Sequence, residues 1–61
     1  MITVTLYRNF VNETQDLVVI DIPDTFNEHI ETTARDLWLE QNPDTPDLVS
    51  IGLHSFIRNE S

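Results

Sequence analysis

Apolar and polar residues alternate at the start of the chain, and this period of two constrains the fold more than any other feature. The apolar positions are Ile2, Val4 and Leu6, and the residues between them are Thr3, Thr5 and Tyr7. Because successive side chains of a strand point to opposite faces of a sheet, the pattern predicts a strand with one buried face. A β-branched run at residues 17–22 predicts a second strand, which we expect to pair antiparallel with the first.

The period changes to that of a helix directly after the second predicted strand. One face of this segment carries the apolar residues Phe26, Ile30, Ala34, Leu37 and Trp38. Thr25, followed three residues later by Glu28, fits a capping box, and Asp24 is an equally good cap. Asn42 precedes a proline, and that position is disfavoured in a helix, so we expect the helix to end near Gln41.

Residues 48–57 alternate again and predict a third strand. We expect its apolar side to carry Val49, Ile51, Leu53 and Ile57. The order β-β-α-β predicts one α+β domain spanning residues 1–61, with a mainly antiparallel three-stranded sheet and one helix packed on one face. The third strand could lie beside the first or the second, and both positions remain open. Residues 58–61 are expected to be a frayed tail.

The sheet face away from the helix is also apolar if the even-numbered positions of the first two strands face the helix. Its apolar residues would be Tyr7, Val11, Leu17 and Val19, joined by Phe56 if the third strand keeps its alternation. Apolar patches of this kind often mark interfaces. One expectation is therefore an interface, including a homodimer. The alternative is that a register shift or a bulge buries some of these residues.

The charge balance limits the classes of partner. The chain has eleven acidic residues against three arginines and no lysine, a formal net charge of -8. Nucleic acids and anionic membranes are bound through Lys and Arg, so we expect direct binding to neither. Such a chain is attracted to basic surfaces instead, or the charge only maintains solubility. The first ten residues lack the pattern of a signal peptide, and no apolar run approaches the roughly 20 residues that span a bilayer. The absence of cysteine fits a cytoplasmic protein, which is the expected location.

Acidic residues are concentrated on the outer surface of the predicted helix. They are Asp24, Glu28, Glu31, Asp36 and Glu40. The early acids favour the helix N-terminus, and Glu31 is spaced to pair with Arg35. Neither effect explains Asp36 and Glu40, which lie in the C-terminal half. The acids therefore form either a solvated surface or a row of negative charge that imitates a nucleic-acid backbone.

In length, charge and β-β-α-β order, the chain resembles the small acidic proteins that phages encode to inhibit host nucleic-acid enzymes. Polymerase inhibitors, anti-restriction proteins and anti-CRISPR proteins are examples. The resemblance implies inhibition by binding, in which the acidic face occupies a basic site on a polymerase, nuclease, restriction or CRISPR component in the host cytoplasm. The alternative function is a small homodimeric structural or regulatory module, joined through the apolar outer sheet face.

No residue pattern predicts catalysis. The nearest helical pairing of a histidine with an acid is His29 with Asp36, which is not a catalytic signature. Gly52 is the only glycine, so no phosphate-binding loop is expected. Asp44 and Asp47 are too few ligands for a calcium loop. We expect a non-enzymatic protein with no catalytic residue, no metal site and no cofactor.

Overall fold

The computed structural model describes residues 1–59, which form three strands and one helix in the predicted order. The elements are β1 (Ile2–Phe10), β2 (Gln15–Ile22), α1 (Asn27–Gln41) and β3 (Leu48–Arg58). Both strand pairs are antiparallel, and the sheet order is β2-β1-β3. The predicted α+β fold is confirmed, and β3 takes the position beside β1.

The register of β1 and β2 places their even-numbered residues on the helix side of the sheet. Ile2 pairs with Ile22, and Leu6 pairs with Val18. Five of these residues are buried and Val18 packs against them, half-buried; the five are Ile2, Val4, Leu6, Ile20 and Ile22. The core face predicted from the alternation is confirmed.

The helix covers this face through residues spaced one turn apart. Ile30, Ala34 and Trp38 are buried, and Leu37 is half-buried beside them. The predicted end at Gln41 is confirmed, and the N–H of Asn42 still donates to the carbonyl of Trp38 at 3.0 Å. Among the described residues, no helix has the length and apolar character needed to cross a membrane.

The predicted start of the helix is wrong in two respects. Phe26 occupies the N-cap in an extended conformation, and no side chain within residues 1–59 makes a capping hydrogen bond there. Thr25 and Asp24 therefore lie outside the cap position, and the capping box with Glu28 does not form. Phe26 is also 74% exposed, so the apolar face of the helix begins at Ile30 instead.

The alternation predicted for β3 is interrupted by two bulges. Register shifts against β1 leave His54 and Val49 as extra residues without a partner. Each extra residue reverses the phase of the side chains that follow it. The predicted common side is therefore wrong, because Ile51 and Leu53 face the core while Val49 and Ile57 are exposed.

The end of β3 is held to the start of β1. Arg58 is the last residue of the strand and pairs with Ile2. Asn59 donates its N–H to the carbonyl of Met1 at 3.0 Å. The predicted frayed tail therefore does not include these two residues, and Glu60 and Ser61 lie outside the described residues.

Candidate interaction surfaces

Two of the five acidic residues predicted as one surface make contacts within the protein. Glu31 projects towards β3, where its Oε2 accepts the backbone N–H of Leu53 at 3.0 Å, directly beside the bulge at His54. The carboxylate of Asp24 lies 2.8 Å from the amino group of Met1. The hydrogen bond from this amino group, together with its charge, lowers the pKa of Asp24.

The other three acids are exposed on the outward side of α1, and we call them the acidic helix face. They are Glu28, Asp36 and Glu40. Helix geometry spreads them over an arc of about 120° and about 18 Å along the axis. None of them lies within 4.0 Å of an arginine nitrogen in the described part of the chain; the contact made by Glu28 is with the imidazole of His29, whose Nε2 is 3.6 Å away. Their negative charge is therefore not compensated inside the protein.

Arg8 forms an ion pair and cation–π contacts at one end of the core. Its Nε donates to Oδ1 of Asp16 at 2.6 Å, and a second guanidinium nitrogen contacts the other carboxylate oxygen. The guanidinium carbon also lies 5.1 Å from the ring centroid of Phe10 and 5.3 Å from that of Trp38, within cation–π range. The hydrogen bonds raise the pKa of Arg8 and lower the pKa of Asp16.

Neither of the other two arginines forms an ion pair with the acidic helix face. Arg58 donates to the carbonyl oxygen of Thr25 at 2.7 Å and to Oδ1 of Asn27 at 2.5 Å, and so holds the start of α1 against β3. Arg35 is half-buried, and its Nε is shielded from solvent. The ion pair predicted between Glu31 and Arg35 is absent, because Glu31 turns towards β3.

The second surface is the outer sheet face, which no helix of the described residues covers. Leu17 and Val19 are 55% and 65% exposed there, and Tyr7 lies beside them in the register. Val11 is exposed in the turn after β1, at the end of this surface. The placement predicted for Phe56 is wrong: the bulge at His54 puts it opposite Val4, half-buried against the core.

Ile57 takes the position on the outer sheet face that the uninterrupted alternation assigned to Phe56. It pairs with Thr3 and is 66% exposed. The outward position of Ile57 could have been predicted from the sequence only if the bulge had been recognised. The local signal for a bulge was Gly52, because an isolated glycine in a strand often marks a bulge or a place where another group approaches the backbone closely.

Tyr7 lies at the centre of this face, above Gly52. A shallow depression beside it is lined by Tyr7, Gln15, Asp16, Leu17 and His54. Within residues 1–59, no three His, Asp or Glu side chains are grouped as a metal ion would require. The depression offers an aromatic ring and an apolar side chain next to one carboxylate, an arrangement suited to contact with another protein.

Comparison with known proteins adds no relative, since no protein-family model, no curated protein and no solved structure matches the chain. The acidic helix face and the outer sheet face lie on opposite sides of the domain, because α1 packs on the other side of the sheet. Their chemistry is the basis for a functional interpretation.

Proposed function

We propose that the protein is a non-enzymatic binding domain whose acidic helix face occupies a basic, nucleic-acid-binding site on a partner protein. The observation that carries this proposal is the distribution of charge. Glu28, Asp36 and Glu40 are exposed without an arginine partner in the described residues, while Arg8 and Arg58 are bonded to other parts of the fold. Glu28 favours the N-terminus of α1, but Asp36 and Glu40 lie in its C-terminal half, where negative charge does not stabilise the helix.

The chemistry of the partner follows from that of the acids. Carboxylates form charge-assisted hydrogen bonds with Arg and Lys, the same groups that bind phosphates. Three carboxylates along about 18 Å of helix can therefore contact several such groups at once. Nucleic-acid enzymes such as polymerases, nucleases, and restriction or CRISPR components carry these sites. The resemblance to small acidic phage-encoded inhibitors supports a role as an inhibitor in the host cytoplasm.

The experiment compares two variants of equal charge. One carries Glu28→Gln, Asp36→Asn and Glu40→Gln, and the matched control replaces three exposed acids outside the acidic helix face. The control substitutions are Glu13→Gln, Asp44→Asn and Asp47→Asn. Each protein is immobilised and exposed to nuclease-treated lysate of a candidate host, with elution by salt and competition by added DNA or RNA. Circular dichroism checks that both variants fold.

The expected result is that the wild type and the control retain a basic nucleic-acid-binding protein, while the variant of the acidic helix face does not. Added nucleic acid should displace the captured protein, because both ligands compete for one site. Equal loss of binding in the two variants would show that net charge, and not this surface, attracts the partner. That outcome would contradict the proposal.

A second candidate function is a homodimeric structural or regulatory module, and the outer sheet face favours it. Leu17, Val19 and Ile57 are each more than half exposed on the sheet face opposite α1. The test is Val19→Asp, which should convert a dimer into a monomer in sedimentation experiments. A wild-type protein that already sediments as a monomer would remove the basis for this candidate.

A further inference from the structure

The two edges of the sheet differ in their capacity to pair with another strand. Because β1 is central, β2 and β3 each have one edge with no neighbouring strand among residues 1–59. The bulges at Val49 and His54 interrupt β3, and bulges twist an edge away from additional pairing. The register of β2 is unbroken from Gln15 to Ile22. This strand therefore presents a regular edge with unpaired backbone groups.

The hairpin shows which backbone groups of β2 point outward. The N–H of Phe10 donates to the carbonyl of Thr14 at 3.0 Å. Residues in an antiparallel pair alternate between hydrogen-bonded and non-hydrogen-bonded positions, so the even-numbered residues of β2 bond to β1. The odd-numbered residues direct N–H and C=O groups to the free edge. These residues are Gln15, Leu17, Val19 and Asp21.

We infer that β2 pairs antiparallel with β2 of a second copy, about a twofold axis at Val18, to form a continuous six-stranded sheet. This register places Leu17 opposite the partner's Val19 and Gln15 opposite the partner's Asp21. Apolar residues then meet apolar residues on the outer sheet face, and an amide meets a carboxylate. On the helix side, Val18 faces the partner's Val18.

Neighbouring registers fit less well. A twofold axis perpendicular to the sheet puts the outer sheet faces of both copies on the same side. The register can therefore shift only by two residues at a time, because a shift of one residue would bring residues of the outer sheet face opposite residues of the helix side. Centring the pair on Val19 would oppose Leu17 to the partner's Asp21 and Asp16 to the partner's Ile22. Centring it on Val18 leaves only Asp16 opposite an apolar residue, and Asp16 is already held by Arg8. The sequence of β2 is therefore close to self-complementary about Val18.

This inference rests on the second candidate function, self-association, and is independent of the acidic helix face. Their dependence on salt distinguishes self-association through β2 from partner binding by the acidic helix face. Two copies with a formal charge of -8 repel each other, so added salt should strengthen β2 pairing by screening. Binding of the acidic helix face to a basic partner should weaken under the same conditions. If one of these two interactions is not observed, the result for the other can still be interpreted.

The first test changes the backbone of the free edge. Val19→Pro removes an outward N–H, and an edge strand tolerates proline where its N–H is not bonded to the sheet. The matched control, Val19→Thr, keeps that N–H and the β-branched shape. Because the twofold axis doubles the loss, Val19→Pro should weaken self-association roughly tenfold or more in sedimentation equilibrium. Val19→Thr should still associate, with a smaller loss.

Two outcomes of this test would overturn the inference. One is a wild-type protein that remains monomeric up to about 1 mM at high salt. The other is equal dissociation by Val19→Pro and Val19→Thr, since that would assign the contact to side chains stacked face to face rather than to the strand edge. Circular dichroism of each variant confirms that the monomer is folded.

The second test measures the register of the proposed β2 pair directly, by disulfide crosslinking. The chain has no cysteine, so Val18→Cys introduces a single thiol at the proposed axis. Opposed residues at a non-hydrogen-bonded position have Cα atoms about 4.5 Å apart, within the range of a disulfide. Mild oxidation should therefore give a covalent dimer. The control is Thr5→Cys, in the centre of the outer sheet face; crosslinking there but not at residue 18 would indicate face-to-face stacking and overturn the inference.

Discussion

The phenol ring of Tyr7 lies across Gly52, its partner in the pairing of β1 with β3. A β-carbon built on Gly52 would lie 2.5 Å from the hydroxyl oxygen of Tyr7 and 2.6 Å from its Cζ, closer than non-bonded atoms approach. Gly52 is buried although it belongs to the outer sheet face. The ring thus covers the centre of the sheet face opposite α1.

We expect Gly52→Ala to destabilise the wild type by about 1 kcal/mol, because the ring of Tyr7 must move off the backbone. In a Tyr7→Ala background the same change should stabilise the protein by about 0.5–1 kcal/mol, since alanine is better than glycine inside a strand. The backbone of Gly52 has no positive φ that would oppose alanine. Urea unfolding of the four proteins completes the double-mutant cycle. An equal effect in both backgrounds would contradict the contact.

Removal of the Glu31 carboxylate should destabilise β3 locally at Leu53. Glu31→Ala leaves the N–H of Leu53 without its acceptor, which we expect to cost about 1 kcal/mol of unfolding free energy. Hydrogen exchange should accelerate at the amide of Leu53 in particular. The control is Glu28→Ala, which removes an exposed acid from the same helix without breaking this hydrogen bond. Unchanged exchange at Leu53 would show that the contact does not persist in solution.

The two apolar residues at the start of α1 should respond very differently to truncation. Phe26→Ala should change the unfolding free energy by less than about 0.5 kcal/mol, because the side chain is largely exposed. Ile30→Ala removes a fully buried side chain and should cost roughly 2–5 kcal/mol. Thermal or urea unfolding compares them directly. A large loss for Phe26→Ala would mean that the ring packs on the domain after all.

The ion pair between Arg8 and Asp16 should make stability depend on pH in a defined direction. The hydrogen bonds from Arg8 hold the pKa of the Asp16 carboxyl below its ordinary value of 3.8. A carboxyl whose pKa is lowered in the folded state stabilises the fold above its unfolded pKa and loses this effect as the pH falls through the folded pKa.

The difference in unfolding free energy between the wild type and Asp16→Asn should therefore be constant above about pH 5 and shrink below the ordinary pKa. Urea unfolding at a series of pH values measures it. Asp44→Asn removes one exposed acid outside the ion pairs found in the described residues and controls for net charge. A difference that grows on acidification would contradict the assigned role of Arg8.

Local periodicity was enough to predict which face each residue occupies wherever a strand or helix is regular along its length. The alternation from Ile2 to Leu6 assigned the core face of β1, because every second position in a regular strand points the same way. The four-residue spacing of Ile30, Ala34 and Trp38 assigned the buried side of α1, and with it the outward position of the acidic helix face.

Only the tertiary structure decided the phase of β3 and the roles of single residues. The bulge at His54 moved Phe56 into the core and Ile57 onto the outer sheet face, and no local pattern encodes such a shift. Glu31 had the spacing for a pair with Arg35, but it bonds to Leu53, 22 residues away in sequence. Periodicity records which side of an element a residue occupies. Pairing, bulges and the partner of a carboxylate depend on contacts that exist only after distant segments pack together.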